Sequence, residues 1–256
     1  MRIGIEDNRA AEFLVAGLGD DSSPTVVRLP RQDTLRAVRA GQLDLALVPA
    51  LSVLRDPEDL EVVPAVALSS WRYPFAQLYL PGGLDTAPST ICYQPTYHEE
   101  AELARIVVKE HYGLTPDFRP CDGVLEKNAA TVLVGDSVGS GRPRGLYLDL
   151  GQEWCELANY PMVSGLFVMA HGTVSADIVR SLRGMAAEAE TLRAQWAAMD
   201  DGRFRRFFLD DVRVRFDDLV VASLTQLSDF AFYYDIIDEI RDIPIASVDV
   251  SNVDGD

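Results

Sequence analysis

Three short turns carry most of the side chains that could do chemistry in this chain. The first is Pro95-Thr96-Tyr97-His98-Glu99-Glu100. It follows an apolar strand and opens a long helical pattern, so His98 falls in a first helical turn. An imidazole titrates near neutral pH and can serve as acid or base. A helix N-terminus disfavours its protonated form. The second turn is Val134-Gly135-Asp136-Ser137, where a buried strand stops at a Gly-Asp pair. Asp136 there accepts a ligand hydroxyl or shapes the next turn. The third is Glu6-Asp7-Asn8, a loop after the first strand. Asn8 takes either a turn role or a ligand-facing position.

Other chemistries lack their signatures. Gly135, Gly139, Gly141 and Gly145 are not followed by Gly-Lys-Ser/Thr and do not keep the Gly-x-Gly-x-x-Gly spacing, so neither a phosphate loop nor a dinucleotide site is expected. Arg142 and Arg144 read as decoration of a solvated turn. No Cys/His/Asp/Glu spacing suggests a metal site, and no Gly-x-Ser-x-Gly elbow suggests a hydrolase. His111 sits near a helix C-terminus, where a cation suits the dipole. His171 reads as part of a hinge.

These turns need a scaffold, and the composition allows one. The 256 residues are 48% hydrophobic and 25% charged, enough for a packed core in two lobes. The net charge of −17 disfavours nucleic acid and anionic membrane as partners. An anionic ligand would therefore need local positive potential. No run of about 18 apolar residues is present, so no membrane span is expected. Acids follow Met1 where a signal peptide would have its apolar core, which points to a cytoplasmic protein. Cys92, Cys121 and Cys155 are odd in number, and reduced thiols are the simpler reading.

Strands are predicted at Ile3–Ile5, Thr25–Leu29, Leu43–Pro49, Glu61–Leu68, Phe75–Leu80, Thr90–Tyr93, Thr131–Val134, Leu146–Leu148 and Met162–Met169, alternating with helices. Thr96 and Glu99 fit a capping box for a helix ending before Gly113, and Asp149 with Gln152 fits another. Two long amphipathic helices follow Ser175 and Asp218, and the tail after Asp242 is expected to fray. Breaks at Pro81-Gly82-Gly83 and His171-Gly172 predict crossings near residues 85 and 172. Lobe 1 is then 1–85 with 173–256, and lobe 2 is 86–172. The class is α/β, two-lobed, with a ligand cleft between the lobes.

The Gly135-Asp136 turn, Asp149-Leu150-Gly151-Gln152-Glu153-Trp154 and Tyr160-Pro161-Met162-Val163 together resemble the chorismate dehydratase family of the futalosine route to menaquinone. Arg2-Ile3-Gly4, the stretch Gly41 to Pro49, and Tyr112-Gly113 with Pro116 resemble it in the same order. The resemblance covers most of residues 2–170 and, more loosely, 203–235. It implies a type 2 periplasmic-binding-protein-like fold and loss of water from chorismate to give 3-[(1-carboxyvinyl)oxy]benzoate, with no metal or organic cofactor. Of the family's Tyr-Leu-Asn after the first strand only Asn8 is kept. Ser137-Val138 replaces the family's usual continuation of the Gly-Asp turn, and Ala50 stands where it prefers Ser. A related family, which converts a cyclic futalosine on the same fold, shows a Thr-Thr-Ala turn not evident here.

The resemblance thus implies a small-molecule carboxylate as partner. Asn8 would orient it and His98 would be the acid or base. Ser69, Ser70, Thr96, Tyr97, Asp136 and Ser137 would bind its carboxylate or hydroxyl groups. Two alternatives stand beside this reading. One is a binding protein that holds a small cyclic carboxylate without converting it. The other is a scaffold that meets a partner protein through the long helices.

Overall fold

The computed structural model describes residues 1–18, 24–121, 129–135, 138, 143–199, 202 and 204–248. Strands and helices alternate from the start: β1 (Arg2–Ile5), α1 (Arg9–Val15), β2 (Thr25–Arg28), α2 (Arg31–Arg39), β3 (Leu45–Val48), α3 (Ala50–Arg55) and the long β4 (Leu60–Ser70). There follow β5 (Ala76–Leu80), β6 (Thr90–Tyr93), α4 (His98–Tyr112), β7 (Asp117–Pro120), β8 (Thr131–Val134), β9 (Leu146–Asp149) and α5 (Leu150–Ala158). β10 (Met162–Ala170) leads to α6 (Ala176–Thr191), α7 (Arg193–Ala198), β11 (Val212–Val214) and α8 (Asp218–Tyr233). No helix of the described residues is long and apolar enough to cross a membrane.

The chain divides into two units, Met1–Ser69 with Val163–Asp256, and Ser70–Met162. The crossings therefore fall at Ser69/Ser70 and Met162/Val163, earlier than the breaks near 85 and 172 that the turns suggest. The reason is pairing. β5 hydrogen-bonds β8 and β9, so it belongs to the second sheet although a Pro-Gly-Gly break follows it. His171 lies inside the first unit, where its Nδ1 sits 3.1 Å from Glu61 Oε1.

The first unit has a six-stranded sheet in the order β11-β4-β10-β3-β1-β2. β1, β2 and β3 are parallel, and β10 runs antiparallel to β3. All four residues of β3 are buried, as a strand covered on both faces requires. Its core packs Val48, Val62, Leu166, Val168, Val220 and Leu224 together. Phe13, Trp196 and Phe208 meet with ring centroids 5.4–6.0 Å apart. The second unit has a five-stranded sheet in the order β7-β6-β8-β5-β9. Ile91, Val107, Val132 and Trp154 are buried in that unit.

Caps set several helix starts. Asp149, Ser175 and Asp217 each accept the N–H three residues on, from Gln152, Ile178 and Val220. Gly113 ends α4 in the left-handed conformation at φ 63°, which a Cβ would disfavour. Four expectations are corrected. The N-cap of α4 is Tyr97 with no side-chain cap, because Pro95–Tyr97 forms a 3-10 turn and takes Thr96 into it. The helix after Ser175 breaks at Leu192, and its buried seam is Val179, Leu182, Met185, Ala186 and Ala189. The tail is held at least to Ala246, since Val62 donates to Pro244 O and accepts from Ala246 N. Cys92 and Cys121 are paired in a disulfide: parallel pairing of β6 and β7 brings the two chain positions to a Cα separation of 5.7 Å. Cys155 stays free.

Candidate functional site

The direction of the strands decides where ligand-facing loops can gather. In the second unit β6 is parallel to β7 and β8, and β5 is antiparallel to β8 and β9. The C-terminal ends of β6, β7, β8 and β9 therefore share one edge, and β5 starts there. Such edges bind ligands in open α/β sheets. The edge carries the Pro95–Tyr97 turn with His98, Gly135, Asp149 at the start of α5, and the entering segment Ser70 to Tyr73.

Local hydrogen bonds fix these loops. Gly135 N donates to Phe75 O at 2.8 Å. Its φ of 99° is one that glycine adopts without strain. The Tyr97 hydroxyl lies 3.8 Å from where a Gly135 Cβ would be, so the 95–99 turn approaches the end of β8 at Gly135. Asp149 Oδ1 accepts from Tyr73 N at 2.8 Å and Gln152 N at 3.0 Å, clamping the entering segment to α5. A Cβ on Gly151 would run into the Tyr73 backbone, so this contact needs glycine. Burial raises the Asp149 carboxyl above its ordinary range, against backbone donors and the charge of Arg72 that pull it down. The His98 ring lies 5.9 Å from that of Tyr93, and its Nε2 is 3.5 Å from Glu102 Oε1.

Two features here escaped the sequence reading. Arg72 is half-buried, feels the charge of Asp149, and has no hydrogen-bond or ion-pair partner among the described residues. Trp71 beside it is 37% exposed. The available signal was a Trp-Arg pair directly after two serines in an acidic chain. Ser70 itself is 1% exposed, and its hydroxyl has no hydrogen-bond partner among the described residues. A buried polar group left unmatched is uncommon and asks for an explanation, a ligand among them.

In the first unit the parallel strands β1, β2 and β3 end at a second edge. Asn8 caps α1 there: its Oδ1 accepts from Ala11 N at 2.9 Å and its Nδ2 donates to Glu6 Oε2 at 3.1 Å. Arg31 holds the same Glu6 through Nε at 3.0 Å and Nη2 at 2.9 Å. Asn8 thus keeps one amide hydrogen to offer, and its principal duty is the cap. Ser69, the last residue of this unit before the crossing, is fully buried, and its hydroxyl has no partner among the described residues. Ser69 and Ser70 are successive on an extended strand, so their side chains leave opposite faces. Thr96 is exposed within its 3-10 turn. Asp136 and Ser137 lie outside the described residues, as does Arg142.

The fold also assembles a metal-ligating set that sequence spacing did not suggest. His111, Glu153 and Glu156 bring one ligand atom each to within 4.8 Å of the others.

Comparison with known proteins places this geometry. A family model described as menaquinone biosynthesis matches residues 1–233. None of the curated proteins matches the chain. Among solved structures, protein AF1704 from Archaeoglobus fulgidus is 15% identical, with 92% of this chain and 98% of that one covered at a TM-score of 0.67. The periplasmic aliphatic sulphonate binding protein SsuA from Escherichia coli is 16% identical, covering 96% and 92% at 0.65. A Candida albicans protein described as having the generic periplasmic binding protein fold is 10% identical, covering 95% and 92% at 0.51. At these identities the likeness shows the fold: α/β, of the periplasmic-binding-protein type.

Proposed function

The chain belongs to the menaquinone biosynthesis family, and from that premise we propose that it is a carbon–oxygen lyase that dehydrates chorismate to 3-[(1-carboxyvinyl)oxy]benzoate. In this reaction the ring carbon–oxygen bond breaks and one ring proton is lost. The hydroxyl leaves with a proton as water, and the ring becomes aromatic. The aromatic product makes the step downhill, so the protein has to bind two carboxylates, orient the ring and move protons.

The observation that carries this reading is the Ser70–Arg72 segment. A buried hydroxyl and a guanidinium, neither with a hydrogen-bond partner among the described residues, lie two residues apart on a ligand-type sheet edge. Arg72 answers the need for local positive potential in a chain of charge −17, and a guanidinium suits a carboxylate geometrically. Tyr97 and Thr96 border the same edge, and the Trp71 indole offers an apolar wall for a six-membered ring. His98 carries the proton to or from the reacting ring. Asn8, Ser69, Asp136 and Ser137 are proposed as further contacts to the substrate's polar groups.

Purified protein incubated with chorismate should yield the new benzoate on chromatography. Arg72→Ala should raise KM by about ten- to a hundredfold, the scale of one charge-assisted hydrogen bond. His98→Gln should lower kcat by about a hundredfold or more with KM little changed. The second reading, a binding protein for a cyclic carboxylate, is supported by the likeness of the fold to ligand-binding proteins such as SsuA from Escherichia coli and the ligand binding component of an ABC-type import system from Staphylococcus aureus. A chorismate-induced rise in Tm without product would select it. Neither product nor a shift in Tm would sink both.

A further inference from the structure

We infer that the second unit holds a first-row divalent transition ion of the Zn²⁺ class between α4 and α5, on His111, Glu153 and Glu156. His111 is in the last turn of α4, and its Nδ1 lies 3.0 Å from Glu153 Oε2. The Tyr112 hydroxyl donates to that same oxygen at 2.9 Å. Glu156 follows Glu153 by three residues on α5, so the two carboxylates project from one side of the helix. One ligand atom from each of the three residues lies within 4.8 Å of the other two.

Zn²⁺ takes imidazole nitrogen and carboxylate oxygen at about 2.0–2.2 Å in a tetrahedron. That geometry separates ligand atoms by about 3.4 Å. Glu156 is exposed and can supply the closing movement by rotamer change, and water would complete the fourth position. Tyr112 then acts as the outer partner that orients the Glu153 carboxylate.

Charge argues for the ion as well as distance. The Glu153 side chain is 8% exposed, and a buried carboxylate is costly without a compensating charge. Its partners among the described residues are a phenol and an imidazole, with no Lys or Arg. A dication bound by Glu153, Glu156 and neutral His111 supplies the missing charge. It would also staple α4 to α5, whose first turn forms part of the sheet edge described above. A protonated His111 paired with Glu153 is the competing arrangement, and it would hold no metal.

The test uses the full chain after chelator treatment, titrated with Zn²⁺, Co²⁺ or Mg²⁺. Binding of about one equivalent of Zn²⁺ and a raised Tm are expected. Co²⁺ should show the visible absorption of a tetrahedral nitrogen–oxygen site, and Mg²⁺ should do neither. His111→Gln and Glu156→Gln should each weaken Zn²⁺ by at least about tenfold. Cys155→Ser, which removes the neighbouring free thiol, should leave affinity unchanged. The proposal is overturned by absence of Zn²⁺ binding, by equal binding of Mg²⁺, by full affinity in either the His111 or the Glu156 variant, or by loss of affinity in the Cys155 variant. Glu156→Gln changes an exposed side chain, so its result is readable even where His111→Gln disturbs folding.

Discussion

The Asp149 carboxyl caps α5 and also receives the Tyr73 amide from across the sheet edge. Asp149→Ala removes a cap and leaves a second N–H unmatched. It should cost about 2–4 kcal/mol in urea denaturation, adding a typical cap to one buried unsatisfied donor. The same carboxyl predicts a pH response. Its folded pKa is raised, chiefly by burial. For a raised pKa the stabilising contribution is full below the ordinary carboxylate value of about 3.9 and is lost as pH rises through the folded value. Asp149→Asn keeps the acceptor oxygen and never ionises. The stability difference, wild type minus Asp149→Asn, should therefore shrink as pH rises through that window. An unchanged difference from acid to neutral pH would show that Asp149 titrates as it does in the unfolded chain. This residue was legible because Asp149-x-x-Gln152 is a local pattern. Arg72 was not legible, because its interest lies in which partners the fold withholds from it.

At the scale of elements, local signals succeeded and pairing between distant segments did not show. The cap at Asp149 and the stop at Gly113 follow from residue type within one turn of chain. The Thr96–Glu99 box fits the same rule and failed, because Pro95 starts a 3-10 turn that moves the helix start to His98. The Cys92–Cys121 bond spans 29 residues and becomes visible only when β6 and β7 are known to be neighbours. A loop of that size predicts that Cys121→Ser lowers stability by about 3–4 kcal/mol in the chain-entropy model. Dithiothreitol should bring the wild type down to the level of the variant and leave the variant unmoved. Three free thiols in the denatured, unreduced chain would refute the pairing.

Over the whole molecule the excess of acids sets the response to salt. Many carboxylates are paired at the surface, as in Arg28–Glu12 and Arg39–Asp56, but exposed pairs contribute only about 0–1 kcal/mol each. The remaining net charge of −17 repels itself. Raising NaCl from about 0.01 M to about 0.15 M shortens the Debye length from about 30 Å to about 8 Å. Tm measured by calorimetry should rise over that range. A fall would mean that screened ion pairs outweigh the relieved repulsion. The α/β class and the family were readable from ordered motifs spread along residues 2–170. The unit boundaries were not, because a Pro-Gly-Gly break marks a turn equally well inside a sheet.

The sheet order carries a consequence in time. β10 lies between β4 and β3 in the first sheet, and it is made only after the whole of Ser70–Met162. A ribosome emitting the chain from its N-terminus at about 5–20 residues per second therefore leaves the four earlier strands of the first sheet, β1 to β4, with an open slot until Ala170 has emerged. The inserted unit, contiguous in sequence, has all five of its strands by then. The part of the protein that begins first must finish last, so nascent chains with Met162 just clear of the ribosome should resist protease within β5 and β8 while β1 and β3 are still cut.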